Sequence, residues 1–190
     1  MSSRDLGPHV LEESRTQFAK LRALAEAALA QVDDAAFFAL PEPSGETNSI
    51  ALVVKHMAGN ARSRWSDFLT SDGEKSGRDR DREFELGAAD TREALMTAWT
   101  RGWELLDQAL EPLGPDDLMR TATIRGEPHT VLQLIDRQLT HYGYHVGQIV
   151  LLARLAKGGA WSSLSVPRGQ SAAFNQKMID QFRTRPPRDP

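Results

Sequence analysis

The sequence has no cysteine. That single absence excludes disulfides, thiolate ligation of zinc and a cysteine nucleophile. Any metal has to be held by histidine, carboxylate or backbone groups, and any thiol chemistry has to use a thiol from outside the chain. Uninterrupted apolar runs long enough to cross a bilayer, about eighteen residues, are also missing. The N-terminal MSSRDLGPHV lacks the apolar stretch of a signal peptide, so a cytoplasmic protein with no membrane partner is the expectation. There is no excess of basic charge either. Lys and Arg number 23 against 26 Asp and Glu, a formal charge of -3, whereas a nucleic-acid partner leaves a basic footprint.

What is present fits one soluble domain. The chain has 190 residues, 40% apolar and 26% charged, enough for a sizeable core. No internal repeat or second domain is visible, so residues 1–190 read as a single domain, with a core over about residues 8–182 and a flexible tail, RTRPPRDP, after it. Apolar residues recurring at three and four predict a first helix from Pro8, a residue suited to the first helical position, to about Val32. LPEPSGETNS breaks it, and Thr47, Asn48 and Ser49 offer caps for a second helix running to about Thr70. SDGEKSGRDRDREFELG is too charged and glycine-rich for a buried element and reads as a long loop. Asp90 to Glu93 has capping-box spacing for a third helix, Thr91 to about Leu110. MRTATIRGEPH alternates around Arg125-Gly126 as a short hairpin would. Thr130 and Gln133 form another capping box, opening a fourth helix that runs to Gly158-Gly159, and a short helix follows from Gln170. Four long amphipathic helices without a substantial sheet predict an all-α antiparallel four-helix bundle.

The fourth helix contains THYGYHVGQIV. At about 100° per residue, His141 and His145 lie only about 40° apart on one helical face, at the inward edge. Side by side they are either one packed and one solvated residue or two teeth of a metal site. His56, in the second helix, lies between an apolar stripe and a line of Asn60, Ser63 and Asp67, more polar than packing requires. Alone it reads as a hydrogen-bonded core histidine; with the pair it makes three histidines on two helices, where bundles build metal sites. His9, in a helical first turn, and His129, before the fourth helix's cap, fall outside that pattern.

A histidine in the second helix followed far downstream by H-x-x-x-H-x-G-Q resembles the DinB/YfiT-like superfamily. These are metal-binding four-helix bundles, often homodimeric, in which three histidines hold a divalent metal. The pattern falls here on His56, His141 and His145, with Gly147-Gln148 completing it. HMAGNARSRWSDFLTSDGEKSGRDRDREF, HYGYHVGQIV and WSSLSVPRGQSAAFN are similar to one branch whose function has no settled name. The likeness spans about residues 17–175. It implies a divalent cation as cofactor and a homodimer, and the superfamily includes thiol-dependent transferases and isomerases.

Three protein ligands leave a metal at least one open position, as catalytic sites do. An all-nitrogen set suits zinc or nickel, and the uncancelled charge helps a thiol or water at that position lose its proton. The leading expectation is a metal-dependent enzyme activating a low-molecular-weight thiol for transfer to a small electrophile, the thiol being a cosubstrate because the chain has none. A hydrolase using metal-bound hydroxide ranks second. Hydrolysis usually needs a nearby base, and the only carboxylate on the His56 stripe, Asp67, lies about 16 Å along the axis. A non-catalytic metal-binding dimer, acting as a stress or scaffold protein, is the third reading. Asn60 and Gln148, each one turn from a histidine, read either as substrate-binding or ligand-orienting groups or as interhelical hydrogen bonds. Arg64, Arg78, Arg80 and Arg82 can attract an anionic thiol or a substrate carboxylate, although the alternation in RDRDRE is the usual pattern of a solvated surface.

Overall fold

Thr130 and Gln133 stand three apart at the head of an apolar-periodic run, and in the computed structural model they close a capping box. Thr130 Oγ1 accepts from the Gln133 N–H at 3.1 Å, and Gln133 Oε1 accepts from the Thr130 N–H at 2.8 Å. The structure describes residues 3–42 and 47–183. The chain is mostly helical, in the order α1 (Ser3–Leu29), α2 (Asp34–Phe38), α3 (Ile50–Trp65), α4 (Arg92–Leu110), β1 (Thr121–Ile124), β2 (Glu127–Thr130), α5 (Val131–Lys157) and α6 (Ser171–Arg183). No helix among the described residues is long and apolar enough to cross a membrane.

Several element ends differ from the sequence expectation, each for a local reason. α1 starts before Pro8, which lies inside it. Proline's fixed φ is already helical, so this early in a helix the main loss is one N–H donor. At its other end α1 stops at Leu29, because Arg92 donates to the Leu29 carbonyl at 2.8 Å and to the Val32 carbonyl at 2.9 Å, supplying the carbonyl partners a helix end lacks. Asp33 then caps α2, a helix too short for periodicity to show, by accepting from the Ala36 N–H. α3 ends at Trp65 and not near Thr70. Asp67 has φ 48°, and its carbonyl accepts from Thr70 and Ser71 in a turn that leaves Phe68 buried beside Trp65. At α4 the N-cap is Thr91 and not Asp90, whose carboxylate is drawn away to Lys55 at 2.9 Å and the Gly87 N–H at 2.7 Å.

α1, α3, α4 and α5 supply one core, α3 packing most extensively on α4 and α1 on α5. Its centre is aromatic: Phe18 contacts Trp65 and Tyr142 edge-on, and Trp103 lies between Trp99 and Tyr142. Each large side chain buried there contributes about 1.5–3 kcal/mol. The expected short C-terminal helix is present as α6, with none of its side chains buried. Residues 184–190, most of the expected flexible tail, lie outside the described residues.

The hairpin forms where expected, pairing Thr121 with Thr130 through Ile124 with Glu127. Its two-residue turn needs positive φ twice, and Arg125 (56°) and Gly126 (76°) both comply. Glycine does so freely; for arginine the left-handed region is costly, about 1–2 kcal/mol. Asp72 offsets that cost by accepting from both turn N–H groups at 2.8 Å. The charged segment after α3 is thereby tied to the hairpin, and Gly73 N adds a bond to the Thr123 carbonyl at 2.7 Å.

Candidate metal centre

The polar line on α3 fastens that charged segment against the helix. Ser63 Oγ donates to the Gly73 carbonyl at 2.7 Å and accepts from the Lys75 N–H, while Arg64 donates to Gly73 and pairs with Glu74 at 3.1 Å. The segment therefore does not wander in solvent. It folds back along α3 into a 3-10 turn at Asp81–Phe84, which brings Glu83 and Phe84 onto His56.

His56, His141 and His145 converge, each offering one ring nitrogen, with all three within 4.8 Å of one another. His56 and His145 are buried and His141 is half-buried. The Nε2 atom of His141 lies 3.4 Å from that of His56 and 3.1 Å from that of His145. The opposite ring edges are held. His56 Nδ1 donates to Glu83 Oε2 at 2.8 Å, and His145 Nδ1 donates to Gln148 Oε1 at 2.7 Å. A carboxylate and an amide oxygen can only accept, so each partner fixes the proton on Nδ1 and turns the Nε2 lone pair inward. Glu83 is itself oriented by Arg78, whose Nε and Nη2 reach its two oxygens at 2.7 and 2.8 Å. Phe84 stacks on His56, centroids 4.8 Å apart.

Electrostatics keep the imidazoles of His141 and His145 uncharged. Burial, the two neighbouring imidazoles and the guanidiniums of Arg64 and Arg137 push His141 down to about 3. Burial also lowers His145, against the raising effect of Gln148. Both rings are thus neutral over the physiological range, the form that binds metal. Burial alone would raise the Glu83 carboxyl, but its hydrogen bonds with Arg78 and His56 hold it below the ordinary glutamate range. Gly59, one turn from His56, makes this approach possible: a Cβ there would meet the Glu83 carboxyl carbon at 2.8 Å.

The donor set fits a metal. Two imidazole nitrogens on one tetrahedral zinc lie about 3.3–3.4 Å apart, close to the two separations that involve His141, while His56 and His145 lie within 4.8 Å of each other. Without a cation, three inward nitrogens have at most the one proton of His141 to share among them. His141 Nδ1 is buried and unpartnered. The three histidines can therefore hold a metal ion, and among the described residues they form the one His/Asp/Glu group so placed.

The other residues singled out in the sequence fall into place around this centre. Asn60 Oδ1 accepts from Gln138 Nε2 at 2.8 Å, the interhelical hydrogen bond between α3 and α5. Gln148 orients His145, and its own Nε2 donates to the Tyr144 hydroxyl at 3.3 Å. Asp67 is not on the His56 stripe, since α3 ends before it. The carboxylate near the histidines is Glu83, from a run that reads as solvated surface. Its one sequence signal is Phe84, a lone aromatic among charges. His9 is exposed on α1, and His129 lies on β2 at 3.5 Å from Glu127; neither joins the cluster.

A helical chain with a three-histidine centre backed by a buried carboxylate defines a class of site without naming a reaction. The family model described as a protein of unknown function (DUF1572) matches residues 5–170, and the chain belongs to that family. No curated protein and no solved structure matches it.

Proposed function

We propose that the chain is a DinB/YfiT-like antiparallel four-helix bundle, homodimeric, that binds one divalent cation, zinc or nickel, through His56, His141 and His145 and activates a low-molecular-weight thiol for transfer to a small electrophile. The observation that carries this reading is the convergence of three Nε2 atoms, two with Nδ1 locked by an acceptor. When bound there, such a cation lowers the pKa of a thiol or water at its open position. The chain's own residues hold the protons. Glu83 keeps one on His56 Nδ1, Gln148 keeps one on His145 Nδ1, and Arg78 keeps Glu83 ionised. The absence of cysteine makes the thiol a cosubstrate. Hydrolysis stays the weaker reading although a carboxylate is now near, because both Glu83 oxygens are already engaged by Arg78 and His56 and neither is free to take a proton from water.

The test has two arms. Elemental analysis of native protein should give about one metal per chain, and His56→Ala and His141→Ala should lose it. Wild-type metal content in both variants would sink the site. Glu83→Gln should keep the fold and weaken metal affinity about 10–100-fold, the usual effect of removing such a partner. Metal-loaded protein is then incubated with glutathione, bacillithiol or mycothiol and a chlorinated or epoxide electrophile. Conjugation supports the transferase reading; stoichiometric metal with no conjugation to any thiol supports a non-catalytic scaffold.

A further inference from the structure

Beside the histidine centre lies a cavity of about 670 Å³, within the range of small-molecule sites. Its wall carries five guanidiniums, Arg64, Arg78, Arg80, Arg125 and Arg137, together with His141. They come from four places in the fold: α3, the charged segment, the hairpin turn and α5. No carboxylate lines the cavity.

The balancing charges nearby are few. Glu74 is shared by Arg64, Arg78 and Arg125 at 3.1, 3.3 and 3.0 Å, and Glu83 is taken by Arg78 and His56. Five cations thus meet two carboxylates. Arg80, whose guanidinium lies 5.4 Å from the Phe84 ring centroid, and Arg137 make no ion pair among the described residues. Arg64 is 4% exposed and its Nε is buried with no hydrogen-bond partner. The two carboxylates answer the buried Arg64 and Arg78, so the surplus of positive charge lies on the exposed Arg80, Arg125 and Arg137, and guanidinium forks match the geometry of carboxylate and phosphate oxygens.

We propose that this cavity binds a small molecule carrying two or more oxyanion charges, carboxylate or phosphate, with Arg80 and Arg137, which no carboxylate among the described residues engages, as its clamps and its far end directed at His141. That this anion is the substrate or cosubstrate of the histidine centre rests on the functional reading above; that it binds does not. A net charge of -3 for the whole chain makes the local concentration of positive charge a property of the folded surface.

Isothermal titration calorimetry on chelator-treated, metal-free protein tests it, with succinate, inorganic phosphate and neutral succinamide as probes. At least one dianion should bind saturably and at least about tenfold more tightly than succinamide, weakening as salt rises. Succinate alone binding assigns a dicarboxylate; phosphate alone binding assigns a phosphate ester. Arg80→Ala combined with Arg137→Ala should weaken that binding by about tenfold or more. Both residues are exposed, so the fold should survive. Arg154→Ala, the same loss of charge about 25 Å further along α5, should bind like wild type. His56→Ala should lose metal and keep the anion, so failure of the metal site and failure of this one are read separately. Succinamide binding as well as either dianion, or the double variant binding like wild type, would overturn the proposal.

Discussion

Two ion pairs drawn from one short charged run behave as opposites. Arg82 and Asp79 pair at 3.4 Å with side chains 80% and 60% exposed; Arg78 and Glu83 pair at 2.7 Å with side chains 5% and 8% exposed. In the sequence all four belong to the same alternation. The difference lies in what each carboxylate can reach. Asp79 has only its neighbours, accepting from the Arg82 N–H at 3.2 Å, whereas Glu83 reaches His56 across 27 residues of chain. A solvated pair adds little stability because water competes for both charges. A buried pair is costly to break because the survivor is left without water. The same residue types are therefore ornament inside the run and structure at its two ends.

Breaking the buried pair gives the largest expected effect. Glu83→Ala leaves Arg78 buried with only Glu74 and should destabilise the fold by about 3–5 kcal/mol in urea denaturation; a loss below about 1 kcal/mol would show that solvent reaches the pair. Next comes Gly59→Ala, whose new methyl collides with a carboxyl group pinned from both sides. Overpacking of that kind should cost about 1–3 kcal/mol and loosen His56, visible as a change in its ring proton shifts in NMR spectra. Unchanged stability and unchanged shifts would mean that Glu83 moves aside freely.

Asp72 probes the tether that brings the segment back toward the hairpin. Hydrogen bonds from the backbone N–H groups of Glu74, Gly126 and Arg125 hold its carboxyl at about 2, below the ordinary 3.8. A depressed carboxyl pKa stabilises the folded state above the unfolded value, and that contribution fades as pH falls from about 3.8 through about 2. Asp72→Asn should cost about 1 kcal/mol or less at neutral pH, given the site's solvent exposure. In thermal melts the gap between variant and wild type should close over that acid window; a gap that widens there contradicts the assignment. The smallest effect belongs to the exposed pair. Arg82→Ala should change stability by less than about 0.5 kcal/mol, and a larger loss would erase the contrast between the two pairs.

Much of the site was legible because it depends on helical spacing. His141 and His145 share a face through the helical period, Thr130 and Gln133 announce where α5 starts, and His56 with Asn60 marks the flank of α3 that faces it. Asn60 and Gln148 were singled out for being one turn from a histidine, and that proximity is what lets Gln148 orient His145. Glu83 was not legible, because Phe84 marks only the neighbourhood and an alternating charged run does not say which of its charges turns inward. Element ends erred for a related reason. Arg92 stops α1 from a distance of 63 residues, and Lys55 draws Asp90 away from the cap position.

The sequence by itself determined the long helices, the paired imidazoles on α5 and the exclusion of protein thiol chemistry, since these follow from periodicity and composition. Only the tertiary structure decided that Glu83 would fix His56 and that Arg125 and Arg137 would join Arg64, Arg78 and Arg80 around one cavity. Burial is what separates the two. It removes the water that otherwise makes one charge much like another, and which charges lose that water depends on contacts between segments far apart in the chain.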